Sequence, residues 1–197
     1  MRLTDHLTDL LSPVRDLHVA ALLETMASEL QRGADVDAEP VERDAEGRIR
    51  RRGALDLPTR QDLRVRRDGR TLLRRVPGQP GLRFAPIRSA LTELAAVHIG
   101  PFDWSDVTVR AHRAAGQPNW TPLRRWFLEW FQARFGEESP DLLGVVHRLD
   151  GPQEEDGGWR FTIDLGSASV AGFIDLLAAL GQSGCAEFRI GETQAAA

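Results

Sequence analysis

The chain contains no lysine and no tyrosine, and its 197 residues include one cysteine, Cys185. A single thiol excludes an intrachain disulfide and the stapled architecture of small secreted domains, so a reducing cytosol is the expected compartment. No window reaches the roughly 18 apolar residues of a membrane span. The opening MRLTDHLTDLLSPVRDLH mixes Asp5, Asp9 and Asp16 with its leucines and so lacks the basic start and apolar run of a secretory leader. Paired cysteines, an H-E-x-x-H helix, a P-loop and a dinucleotide-binding glycine run are missing too. On motifs alone no metal, no cofactor and no catalytic residue is expected, and whether the chain is an enzyme stays open.

Without lysine, all 25 basic residues are Arg. This matches the codon bias of a GC-rich bacterial genome, so an Arg here often fills a place lysine fills elsewhere. Only Arg, however, offers the planar bidentate fork. The net charge of −4 conceals a division. Residues 1–47 carry 4 Arg against 11 acids, residues 48–113 carry 15 against 6, and residues 114–197 carry 6 against 12. The acidic ends can neutralise the basic middle, or the middle can meet an acidic partner.

Hydrophobic content of 42% and charged content of 27% suit a globular chain long enough to bury a core. Leu3, Leu7, Leu10, Leu11, Val14, Leu17, Leu22, Met26 and Leu30 recur at helical spacing. Ser12-Pro13 interrupts them with a cap followed by a first-turn proline, which predicts two helices, the second closed by Gly33. The charged run 34–53 predicts a linker or mobile loop. Asp68-Gly69 between LRVRR and RTLL predicts a hairpin, Val76 to Gly81 a break, and PIRSALTELAAV (86–97) a helix.

The last ninety residues read as a β-α-β-β-α-β series: strand 105–112, helix 121–136, strand 142–149, a polar turn over 151–158, strand 159–166, helix 169–181 and strand 185–192. The expected class is α+β, with a ferredoxin-like split-βαβ domain over 105–197 (two helices on one face of an antiparallel sheet). Residues 1–104 supply N-terminal helices, a charged linker and the hairpin. Within NWTPLRRWFLEWFQARFG (119–136), Leu123, Trp126, Phe127, Trp130 and Phe131 share one helical arc, the pattern of a core-facing helix. Thr121 is the expected cap, Gly136 the stop, and Arg134 a snorkelling residue at the helix end.

Two surfaces could carry binding. With Val107 and Val109 inward, strand alternation turns Arg110 and His112 outward beside Arg160 and Asp164, a cluster suited to an acidic partner or an anion. The second is the hairpin, with Arg66, Arg67 and Arg70 in a stretch holding 11 Arg and 3 acids between residues 48 and 75. The turn Asp164 to Ser169 enters a helix, and Ser167 or Ser169 is expected to cap it. His98, Asp103, Asp106 and His112 match no metal-ligand spacing, and His147 reads as structural. The leading expectation is a non-enzymatic cytosolic protein-interaction module, adaptor-like or immunity-like, with a protein partner and no membrane association. One alternative is a small-ligand protein or enzyme with a pocket between the aromatic helix and the N-terminal helices. The other is nucleic-acid binding through the Arg-rich hairpin, disfavoured by the acidic total and the lack of interleaved aromatics. Partner identity and oligomeric state are not legible.

Overall fold

Leu7, Leu11 and Val14 on one side and Val19 and Leu22 further along are all buried by a single helix, α1 (Leu3–Gln31). This corrects the expected pair of helices. Pro13 removes one amide from the ladder, but the helix runs through it. The Ser12 hydroxyl turns back to the Thr8 carbonyl (2.7 Å) instead of capping a new start. The structure, a computed structural model, describes residues 3–76, 78, 82–112, 116–132, 141–155 and 157–191. The Arg134 and Gly136 readings lie outside these residues, as do most of the 76–81 break and the C-terminal tail.

After α1 come β1 (Asp35–Ala38), β2 (Arg51–Arg52), β3 (Leu57–Pro58), β4 (Leu63–Arg67), β5 (Arg70–Arg74), β6 (Ile87–Ala90), β7 (Ala96–Ile99) and β8 (Val107–His112). Then follow α2 (Thr121–Phe131), β9 (Arg148–Glu155), β10 (Gly158–Asp164), α3 (Val170–Gly181) and β11 (Glu187–Ile190). The charged run 34–53 is not the expected linker. It forms β1 against β4, places Glu39 fully inside, and folds its arginines back onto Asp44 and Glu42. Charge there is consumed internally, so low apolar content does not mean disorder. Residues 86–97 are likewise not a helix. β6 and β7 form a hairpin, and β7 adds in parallel to β11, burying Val97 and Ile99 in the sheet's inner face. A period-3.6 reading of PIRSALTELAAV was available, but the edge of β11 offers its backbone partners a ladder.

Among the described residues three sheets result: β1-β4-β5, β2-β3, and a six-stranded sheet ordered β6-β7-β11-β8-β10-β9. Asp68 and Gly69, both at positive φ, turn β4 into β5. In the C-terminal region the order is β11-β8-β10-β9 and every neighbouring pair is antiparallel. The polar run 151–155, expected as a turn, instead lengthens β9, and residues 142–147 stay outside the ladder. The protein is thus a mixed α+β structure, and among the described residues no helix is long and apolar enough to cross a membrane.

The aromatic arc of α2 faces inward as its spacing requires. Leu123, Trp126, Phe127, Trp130 and Phe131 are buried with Trp159, Phe161, Ile163 and Phe173 in one core that also takes Leu7, Leu11 and Val14 of α1. Each such side chain contributes about 1.5–3 kcal/mol on burial. The two indole N–H groups are satisfied: Trp126 donates to the Gly172 carbonyl (2.8 Å) and Trp130 to Asp175 (3.1 Å). Thr121 is not the cap; the Asn119 side chain accepts from the Thr121 amide (3.0 Å). A second core, Val19, Leu22, Leu63, Val65 and Val76 with Leu142, joins the other half of α1 to the hairpin sheet.

Candidate functional site

The outer face of the six-stranded sheet is set by alternation. Val97, Ile99, Phe188, Ile190, Val107, Val109, Phe161 and Ile163 point into the core, so the residues between them point out. Strand register then aligns Arg88, His98, Arg189, Arg110 and Arg160 directly across β6, β7, β11, β8 and β10. At about 4.8 Å per strand the row is about 19 Å long. Arg160 meets Glu155 (3.5 Å), and Glu187 meets Arg189 (2.9 Å) and His98 (3.8 Å). Arg88 and Arg110 have no ion-pair partner among the described residues. Arg189 beside Glu187 holds that carboxyl below its usual range. No aromatic side chain stands on the described part of this face.

Three residues predicted for this surface are brought together: Arg110 lies opposite Arg160, and His112 lies one row further, opposite Glu187 and Gly158. Asp164 is a correction. Its side chain does not join the outward cluster; it is buried at the end of β10, where the chain turns toward α3. The hairpin residues sit apart from the sheet face. Arg66 is bracketed by Asp35 and Asp37 (both 2.7 Å), which push its pKa upward, and Arg67 lies 3.7 Å from Glu29. Arg70 lines a hollow of about 400 Å³ with Glu29, Arg67 and Arg74.

Asp164 belongs to a buried polar cluster that sequence reasoning missed. His147, fully buried, donates from Nδ1 to Asp62 (3.0 Å) and from Nε2 to Glu39 (2.8 Å). Asp164 Oδ1 lies 3.8 Å from the same Nδ1. Glu39 also accepts from the Ser167 hydroxyl (2.5 Å) and the Leu143 amide (2.5 Å), and Asp62 from the Val76 amide (2.6 Å). Ser167 is therefore not the helix cap; Ser169 occupies the cap position of α3, as one of the two expected candidates, but makes no side-chain cap bond among the described residues. Gly166, at φ 53°, lies against the His147 ring so closely that a Cβ would overlap it.

Burial alone would lower the His147 pKa, but the bonds to Asp62 and Glu39 overturn it and push it up to about 10. The same bonds hold Glu39 and Asp62 below their usual range against the burial that opposes them. Asp164 is pushed up by burial. An imidazolium between two carboxylates thus ties together the end of β1, the entry to β4, the entry to β9 and the turn before α3. Comparison with known proteins gives no match to a family model, to a curated sequence or to a solved structure, so function has to be read from these residues.

Proposed function

We propose that the protein is a non-enzymatic interaction module that binds an acidic protein partner through the outer face of its six-stranded sheet. One observation carries this reading: the cross-strand row Arg88, His98, Arg189, Arg110 and Arg160, in which Arg88 and Arg110 have no ion-pair partner among the described residues. A row of guanidinium groups one strand apart has nearly the spacing of an acidic helix carrying one carboxylate per 5.4 Å turn. The absence of aromatics on the described face argues against single-stranded nucleic acid, which is held by base stacking. The strand order β11-β8-β10-β9 and its antiparallel pairing support a ferredoxin-like reading of residues 105–197, with residues 1–104 as an extension that contributes β6 and β7 to the sheet edge. A cytosolic location is part of the same proposal, supported by the single buried thiol.

The test is comparative capture of partners from nuclease-treated lysate. The charge-reversed face variant R88E/R110E/R160E should lose a stoichiometric protein that the wild-type chain retains. The hairpin variant R66E/R67E/R70E should retain it. Loss in the hairpin variant alone would move the contact surface to the hairpin, and retention in both would refute an electrostatic interface on either.

A further inference from the structure

Beyond the sheet face, and independent of it, the buried cluster holds a feature that the hydrogen bonds above leave unexplained. His18, on α1, is 1% exposed, and neither of its ring nitrogens has a hydrogen-bond partner among the described residues. A buried imidazole with two unused nitrogens forfeits the hydration of both. Its charged neighbours are Asp164, Asp62, His147 and Asp103. Three of these, Asp62, His147 and Asp164, present one ligand atom each, all within 4.8 Å of one another, with His18 outside that group. The separations of 3.0 Å and 3.8 Å from His147 Nδ1 to Asp62 and Asp164 straddle the roughly 3.4 Å expected between donors around a tetrahedral ion with bonds of about 2.1 Å.

We propose that Asp62, His147 and Asp164 form a binding site for a divalent transition-metal ion of the zinc type, with His18 turning in from α1 as its fourth ligand. Two imidazoles and two carboxylates are a mixed N/O donor set, which suits zinc and its first-row neighbours and not the all-oxygen preference of magnesium or calcium. The support behind the ligands is already built. When Nδ1 of His147 binds the ion, its proton leaves to solvent, and the Nε2–H remains bonded to Glu39 at 2.8 Å. That carboxylate–histidine–metal arrangement fixes the tautomer and orients the ring. Glu39 is itself held by Ser167 and Leu143. A cleft of about 250 Å³, whose charged lining is Asp62, Asp103, Asp106 and Asp164 with Arg75 (3.8 Å from Asp164) and Arg148, leads from the surface to two of the four ligands. Its four carboxylates outnumber the two guanidinium groups, which favours the approach of a cation.

The experiment uses the full chain stripped with chelator, titrated with zinc and, separately, with magnesium, and read by calorimetry and by thermal melting. The expected result is one zinc per chain, no magnesium binding, and a Tm rise of about 5–10 °C at zinc one hundred times its Kd. His18→Phe keeps a flat aromatic ring, somewhat larger than imidazole, and removes no hydrogen bond among the described residues, so it should stay folded by circular dichroism. It should lose more affinity than the roughly 10–100-fold that removal of a supporting hydrogen bond costs. Asp164→Asn should weaken zinc in the same direction, and the surface variant H98A/H112A should bind as the wild type does. A folded wild-type chain that takes up no zinc at micromolar concentration would overturn the proposal. So would zinc affinity unchanged in H18F and D164N, or affinity lost in H98A/H112A.

Discussion

Removing the charge at the centre of the buried cluster should be the most damaging single change in the protein. His147→Leu leaves Glu39 and Asp62, both ionised and buried, without the cation that holds them. Breaking a buried pair from one side costs about 3–5 kcal/mol, a large part of the roughly 5–15 kcal/mol that keeps a domain folded. At about 2–4 °C per kcal/mol for a chain of this size, Tm should fall by about 6–20 °C, measured in chelator so that no metal contributes. The pH dependence carries the same logic with a definite sign. The His147 pKa in the fold is about 10 against an ordinary 6.5, so its contribution is complete below 6.5 and is lost as pH rises toward 10. Glu39 and Asp62 lie below their ordinary values, so their contribution is complete above the usual carboxylate range and is lost as pH falls through their lowered values. Urea midpoints of the chelated wild type should decline on both sides of mildly acidic pH, and H147L should flatten the alkaline limb. A variant melting within about 2 °C of wild type, or an alkaline limb that H147L leaves unchanged, would refute the charged clamp.

Other consequences can be checked with the same melts. Gly166→Ala should destabilise by more than about 1 kcal/mol, because the added methyl meets the His147 ring and φ is positive there. The double variant E39Q/H147L should lose less than the sum of its single losses, since removing one carboxylate relieves the charge that the missing imidazolium leaves behind; additive losses would count against direct coupling. Trp126→Phe keeps most of the buried area but leaves the Gly172 carbonyl without its indole donor, so a cost of about 1–3 kcal/mol is expected in denaturant unfolding.

What could be read ahead of the structure was what local pattern encodes. The arc of α2 was legible because five large apolar residues recur at 3.6-residue spacing, and the β4–β5 turn because Asp-Gly is suited to positive φ at both positions. Residues 86–97 were misread because their apolar spacing fits a helix and a hairpin alike, and only the exposed edge of β11 decides between them. The polar run after Gly151 was misread for the opposite reason: β9 continues outward past the core, where strand residues need not be apolar. Arg110 and Arg160 could be paired from alternation, but Arg88, His98 and Arg189 join the row only through a parallel pairing that sequence does not announce. The His147 cluster was invisible for a similar reason, since Glu39 reaches Ser167 across 128 positions. A hint was present: His147 follows an apolar run, LLGVVH, where a charged ring requires buried partners.

An acidic-partner surface on the six-stranded sheet can be sought by an amide-shift titration. The isotope-labelled chain would be titrated with a short helical peptide carrying one glutamate per turn, at low and at high salt. Saturable shifts centred on residues 88, 98, 110, 160 and 189 are expected, weakening with salt and absent in R88E/R110E/R160E. Shifts confined to the 63–74 hairpin, or no saturable shifts at low salt, would contradict it.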